Sequence, residues 1–172
     1  AMIGFHAWCL AHPDEAPTDE ATLGASLPPK LHEAWIALTT AREVLKNKGE
    51  AGLLQFAKGS GMAGRELRSA ADGFALTGVP WVLACTQDAT SFEDALLRAC
   101  ASGGDTDTVC AITGCLAALR FGKDAIPTWM TDGLVGKEHI LDPTLWHPIA
   151  SERPYITMDL QLRTDLETKV RK

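Results

Sequence analysis

No two cysteines in this sequence are spaced C-x-x-C, and the five present (Cys9, Cys85, Cys100, Cys110, Cys115) make an odd number. That argues against a zinc knuckle and against a complete disulfide framework. The apolar helical settings of three of them predict reduced, buried thiols of a cytoplasmic protein. An excess of basic charge is also missing. The net charge is −6 and the acidic residues are spread along the chain; such a surface repels phosphate backbones, so nucleic acid is not an expected partner. Nor is there an apolar run long enough to span a bilayer. The opening MIGFHAWCLA is too short, and it lacks the basic segment of a secretory leader. A soluble protein without a membrane partner is expected.

What is present suits one hydrophobic core: 172 residues, 46% of them hydrophobic. The reading is all-α. Met2 to Ala11 is predicted as a short helix ended by His12-Pro13, because the residue before proline resists helical angles. Asp14 to Pro29 is acidic and proline-rich, which predicts a loop. Lys30 to Lys48 carries Leu31, Ala34, Trp35, Leu38, Ala41 and Leu45 on one face and ends at Gly49, the pattern of an amphipathic helix. Gly52 to Lys58 is a further short helix. Thr77 to Thr86 is another, with Pro80 near its first turn, where proline is tolerated.

Between them, Gly59-Ser60-Gly61-Met62-Ala63-Gly64 matches G-x-G-x-x-G. A dinucleotide site would need a strand before it, a helix after it and an acidic residue about twenty positions on. Pro80 interrupts the segment that would be the second strand, and no further β–α alternation follows. A linker between helices is the better reading, with a nucleotide-binding domain as an alternative.

The densest chemistry lies in Gly103-Gly104-Asp105-Thr106-Asp107-Thr108. Behind it, Val109 to Leu119 is apolar or small at every position except Thr113, which predicts a helix buried on all sides and the most buried of the chain. The acidic turn then sits at the N-terminus of a buried helix. One reading is a cap, with Asp or Thr oxygens accepting from free N–H groups at the positive end of the helix dipole. The other is a hard-cation site, because Asp-x-Asp-Thr brings two carboxylates and a hydroxyl close together, the oxygen ligands that Mg²⁺ or Ca²⁺ prefers.

The wider stretch resembles the C-terminal signature of the ADP-ribosylglycohydrolase family (dinitrogenase-reductase-activating glycohydrolase-like). Phe92-Glu93-Asp94-Ala95-Leu96, then Gly-Gly-Asp-x-Asp-Thr, a helix of small residues, Gly122 and Ile126-Pro127-Thr128-Trp129 follow one another with the family's spacing. The resemblance implies an orthogonal helical bundle and a binuclear Mg²⁺ site that binds ADP-ribose, or an ADP-ribosylated protein, with the distal ribose at the metals. It implies Mg²⁺-dependent hydrolysis of the ribosyl glycosidic bond. By match to the motif, Asp105 and Asp107 would be catalytic carboxylates and metal ligands, and Thr108 a further metal ligand. Gly103 and Gly104 would lie at the ligand. Phe74, after Gly73, stands where an aromatic residue of the family packs on adenine or ribose, although a core phenylalanine is an equal alternative. Ala11-His12-Pro13 is similar to the family's Thr-His-Pro segment, which would put His12 near the cleft; a helix-end cap is its other reading.

The family's N-terminal Thr-Asp-Asp-Thr motif and its glycine-rich phosphate loop have no match here, and Thr18-Asp19-Glu20-Ala21-Thr22 lies on the wrong side of His12. The expectation is therefore the C-terminal half of the family domain over residues 1–141, with an extended arm and tail over 142–172. Such a chain would hydrolyse only if the remaining ligands come from elsewhere; a non-catalytic remnant that binds ADP-ribose or another protein is the alternative. Tyr155 to Asp165 alternates with period two, as a half-buried strand would. With Trp8, Trp35 and Trp81 expected on an open apolar face, these features predict a homo-oligomer, most simply a dimer exchanging tails.

Overall fold

Several helices of this protein start or stop for a local reason that lies in the sequence. The computed structural model describes residues 2–15, 19–61 and 66–135. Helix α1 (Met2–Ala11) stops where expected: the His12 N–H bonds the Trp8 carbonyl at 3.0 Å, and Pro13 follows. Helix α2 (Glu20–Ser26) corrects the expected loop. The Asp19 carboxylate accepts from the N–H groups of Ala21 (2.9 Å) and Thr22 (3.1 Å), and Glu20 suits the first turn. Asp19 is thus a helix cap. Helix α3 (Pro29–Gly59) contains both expected helices as two arms joined at Gly49, whose φ of 66° and ψ of −168° belong to glycine. Trp35, Ala41 and Leu45 face inward, and Leu53 and Ala57 continue the buried stripe beyond the bend.

Helix α4 (Ala75–Gln87) begins two residues before the expected start, so Pro80 lies in its second turn rather than its first. Pro80 has no N–H to return to the Leu76 carbonyl one turn back. Helix α5 (Phe92–Ala101) opens on a reciprocal cap: Ser91 Oγ accepts from the Asp94 N–H at 3.0 Å, and Asp94 Oδ2 accepts from the Thr90 N–H at 2.8 Å. Helix α6 (Thr106–Phe121) ends at Gly122, whose φ is 85°, and a 3₁₀ turn over Lys123–Ala125 leads to Ile126-Pro127.

These six helices form one unit, Met2–Pro127. Its broadest helix pairs are α3 with α4 and α5 with α6, and α4 also packs on α1, α5 and α6. Helix α4 divides two apolar clusters. Leu76 belongs to the one built by Ala41, Leu45, Leu53, Ala57 and Leu67; Val82, Leu83 and Cys85 belong to the other, with Trp35, Val109 and Leu116. The most buried helix is therefore α4, with seven of its thirteen residues buried, and not the apolar run of α6. Helix α6 buries Val109, Thr113, Leu116 and Ala117, while Ala111 and Cys115 are exposed and Leu119 is 44% exposed. An absence of polar residues permits burial all round, but neighbours on only one side leave a stripe of small side chains open.

Two further expectations change. Trp35 is 5% exposed and in the core, so it lines no open face; Trp8 and Trp81 are half-buried, and Trp81 packs against both clusters. Of the cysteines only Cys85 is buried, whereas Cys100 and Cys115 are exposed. The second unit begins at Thr128. Its described part carries the short helix α7 (Thr128–Asp132), with Trp129 67% exposed. Among the described residues there is no strand, and no helix is long and apolar enough to cross a membrane. The glycine run from Gly59 ends α3, with Ser60 as its C-cap, so the strand a dinucleotide loop requires is replaced by helix. The expected 141/142 boundary and the alternating segment Tyr155 to Asp165 lie outside the described residues.

Candidate functional site

Glycine geometry builds the acidic turn. Gly103 and Gly104 have φ of 70° and 77°, which turn the chain out of α5 and back into α6. Space forbids a side chain at the second of them: a Cβ on Gly104 would lie 2.9 Å from the Ala71 carbonyl oxygen and 2.7 Å from Asp72 Oδ1. That close approach lets the Asp105 N–H bond the Ala71 carbonyl at 2.6 Å. The turn is thereby tied to the segment before α4.

A second tie was not legible from spacing. Ser69 is buried; its Oγ lies 2.7 Å from Ser102 Oγ, donates to the Gly103 carbonyl at 3.2 Å and accepts from the Ala71 N–H at 2.9 Å. Ser102 Oγ also donates to Glu50 Oε1, which accepts from the Ala70 N–H at 2.9 Å. Asp72 adds bonds from the N–H groups of Arg68 (2.6 Å) and Ser69 (3.2 Å). Glu50, Ser69 and Ser102 thus brace the turn from behind although they are far apart in the chain. Short motifs carry no trace of such a latch; the half-buried Ser102 beside the glycine pair is its only local sign.

In front, the side chains point elsewhere. Asp105 occupies the N-cap position of α6 but makes no side-chain cap bond. Asp107 is exposed, and a hydrogen bond with the Asp105 carboxyl holds its own carboxyl below the usual range, helped by the N–H groups of Thr108 and Asp107. The two carboxyls therefore share one place. Asp105 and Thr108 also line a cavity of about 200 Å³ with Phe74, Gly78, Val82 and Ile112. The structure thus brings Phe74, Asp105 and Thr108 together, while Asp107 is not among the lining residues and joins them only through its hydrogen bond with Asp105. Sites for drug-sized ligands run to roughly 300–1,000 Å³, so this recess suits one ring rather than a whole dinucleotide-like molecule.

His12 is not among the residues lining this cavity. It is exposed at the far end of α1, its Nδ1 3.0 Å from the Trp8 carbonyl and its ring stacked on the Trp8 ring with centroids 4.9 Å apart. Ile3, which does line the recess, is nine positions back, roughly 13 Å along the helix at 1.5 Å per residue.

Magnesium demands near-octahedral oxygen coordination. Asp105, Asp107 and Thr108 offer oxygens of the right kind, but among the described residues no group of three or more His, Cys, Asp or Glu side chains could hold a metal ion. The described residues alone do not complete such a shell.

An all-α domain with hard oxygen donors at the lip of an apolar recess is the class that this geometry defines. The family model described as ADP-ribosylglycohydrolase matches residues 5–160 of the chain, and the chain belongs to that family. No curated protein and no solved structure matches it.

Proposed function

We propose that this chain serves the hydrolysis of the ribosyl glycosidic bond of ADP-ribosylated substrates, with the acidic turn facing the distal ribose. The observation that carries this reading is the convergence of Phe74, Asp105 and Thr108 on one recess, in a chain of the ADP-ribosylglycohydrolase family. Phe74 offers a flat apolar face for an adenine or ribose ring. Asp105 and Asp107 accept hydrogen bonds from ribose hydroxyls, and their negative charge favours the oxocarbenium-like state of glycoside cleavage. Thr108 adds a hydroxyl that can donate or accept. Bound Mg²⁺ would hold sugar oxygens and lower the pKa of a water, with Asp105, Asp107 and Thr108 as this chain's share of its ligands. The remaining oxygen donors come from beyond the described residues, most economically from a second chain in a homo-oligomer.

A second reading, a non-catalytic module that binds ADP-ribose, is favoured by one observation: the described residues alone hold no complete metal cluster. Calorimetric titration of the chain with ADP-ribose, with and without Mg²⁺, separates the two. Binding that requires Mg²⁺ and disappears in Asp105→Asn and Asp107→Asn supports the hydrolytic reading. Binding indifferent to Mg²⁺ favours the module, and no binding in either condition overturns both.

A further inference from the structure

Cys100 and Cys110 flank the acidic turn along the chain, with their sulfurs 3.0 Å apart. Cys100 is in the last turn of α5, Cys110 is in the second turn of α6, and the turn from Ser102 to Asp105 joins their helices. A disulfide bond is about 2.05 Å long, so closing one needs an approach of only about 1 Å. The pair is also asymmetric: Cys100 is exposed, while Cys110 is half-buried. An oxidant from solution meets Cys100 first and finds Cys110 already in place as the resolving thiol.

We propose that Cys100 and Cys110 are a redox modification site, a dithiol that a low-molecular-weight disulfide converts to a bridge enclosing the acidic turn. The atoms balance without a metal or cofactor. The Cys100 thiolate attacks one sulfur of oxidised glutathione and expels the first glutathione thiolate. The Cys110 sulfur then gives up its proton, attacks the Cys100 sulfur of the mixed disulfide and expels the second. Two protein thiols are oxidised, one glutathione disulfide is reduced, and the two protons end on the two glutathione molecules. The bridge closes a ring that includes Gly103, Gly104, Asp105, Asp107 and Thr108. Because Asp107 and Cys110 are three apart on α6, they share a face, and fixing the Cys110 sulfur restrains the turn of helix that bears Asp107. The remaining cysteines have other surroundings: Cys85 is buried, and Cys9 and Cys115 lie on α1 and farther along α6.

The test uses the full chain, reduced and then equilibrated with oxidised glutathione, and needs neither cation nor ADP-ribose, so it stands apart from the hydrolytic reading. Peptide mapping is expected to find Cys100 joined to Cys110, with the intact mass lower by two hydrogens. In Cys110→Ser the first step has no successor, so the glutathione adduct should accumulate on Cys100; in Cys100→Ser neither adduct nor bridge should form at Cys110. Hydrogen exchange of amides 101–109 should slow in the oxidised wild-type chain relative to the reduced one. A wild-type map without the Cys100–Cys110 link would overturn the proposal whatever the variants do. A link that leaves exchange across 101–109 unchanged would overturn its stapling of the turn.

Discussion

Helices α4 and α6 are both almost devoid of charge, yet they meet the rest of the protein in opposite ways. Helix α4 is enclosed by α1, α3, α5 and α6, and burial runs around it, extending to Pro80 and to the hydroxyls of Thr77 and Thr86. Helix α6 is buried along one stripe and open along Ala111, Cys115 and Leu119. Composition says how much of a helix can be hidden at no polar cost. Topology says how much is. Polar atoms show the difference: in α4 the Thr86 hydroxyl donates to the Val82 carbonyl at 2.9 Å, whereas in α6 the buried Thr113 hydroxyl has no partner among the described residues.

The contrast breaks most readily at the leucines. Leu83→Ala in α4 should cost about 2–5 kcal/mol, because its side chain is fully enclosed, while Leu119→Ala in α6 should stay within about 1 kcal/mol. Urea unfolding of the two variants measures this, and equal losses would mean that the open stripe is covered in solution. Enlarging side chains comes next. Gly114→Leu points toward Leu96 across the α5–α6 interface and should cost about 1–3 kcal/mol by overpacking. Ala111→Leu, on the open stripe, should change the melting midpoint little, within about 0.5 kcal/mol.

The threonines give a smaller effect of opposite sign. Thr86→Val loses a made hydrogen bond and should destabilise by about 1 kcal/mol, whereas Thr113→Val removes an unpaired buried hydroxyl and should stabilise by a similar amount. Thermal melts of both variants decide whether the sign differs between the helices. The smallest effect belongs to the exposed mouth of α6. Asp107 has a lowered folded pKa, so it adds stability above its unfolded value and loses that increment as pH falls through the folded one. The stability gap between wild type and Asp107→Asn should therefore be present at neutral pH and close in acid, as followed by urea unfolding from about pH 7 down to pH 2. A gap that persists in acid would assign it to the loss of something other than charge.

The features legible in the sequence are those set by near neighbours. Gly103, Gly104 and Gly122 mark backbone turns that glycine adopts most readily, and two acidic residues separated by one position declare a shared charge wherever the chain goes. The 3.6-residue period of α3 located Trp35, Ala41 and Leu45 in the core for the same reason. Leu38 of that face is only half-buried, however, and Leu31 and Ala34 are exposed, since the first turns of the helix run past its neighbours. Helix α2 was hidden because prolines on both sides mimic a loop, although Asp19-Glu20 carries an ordinary capping signal. The open side of α6 had no local signal, since which face a helix hides depends on elements dozens of residues away. The latch of Glu50, Ser69 and Ser102 is the extreme case, with partners 33 and 52 positions apart.

The bend at Gly49 has a consequence for anyone moving this site to another scaffold. Glu50 follows the bend directly and reaches the backbone N–H of Ala70 and the hydroxyl of Ser102. A transplant of residues 92–121 into a foreign helical hairpin would carry both carboxylates and both turn glycines, yet leave behind the buttress that holds them. The smallest portable unit is therefore discontinuous: the α5–α6 hairpin, the Ser69–Phe74 segment, and the elbow of a helix that begins at Pro29. A shorter graft should fold its turn in many ways, because the glycines that allow the native shape allow others equally well.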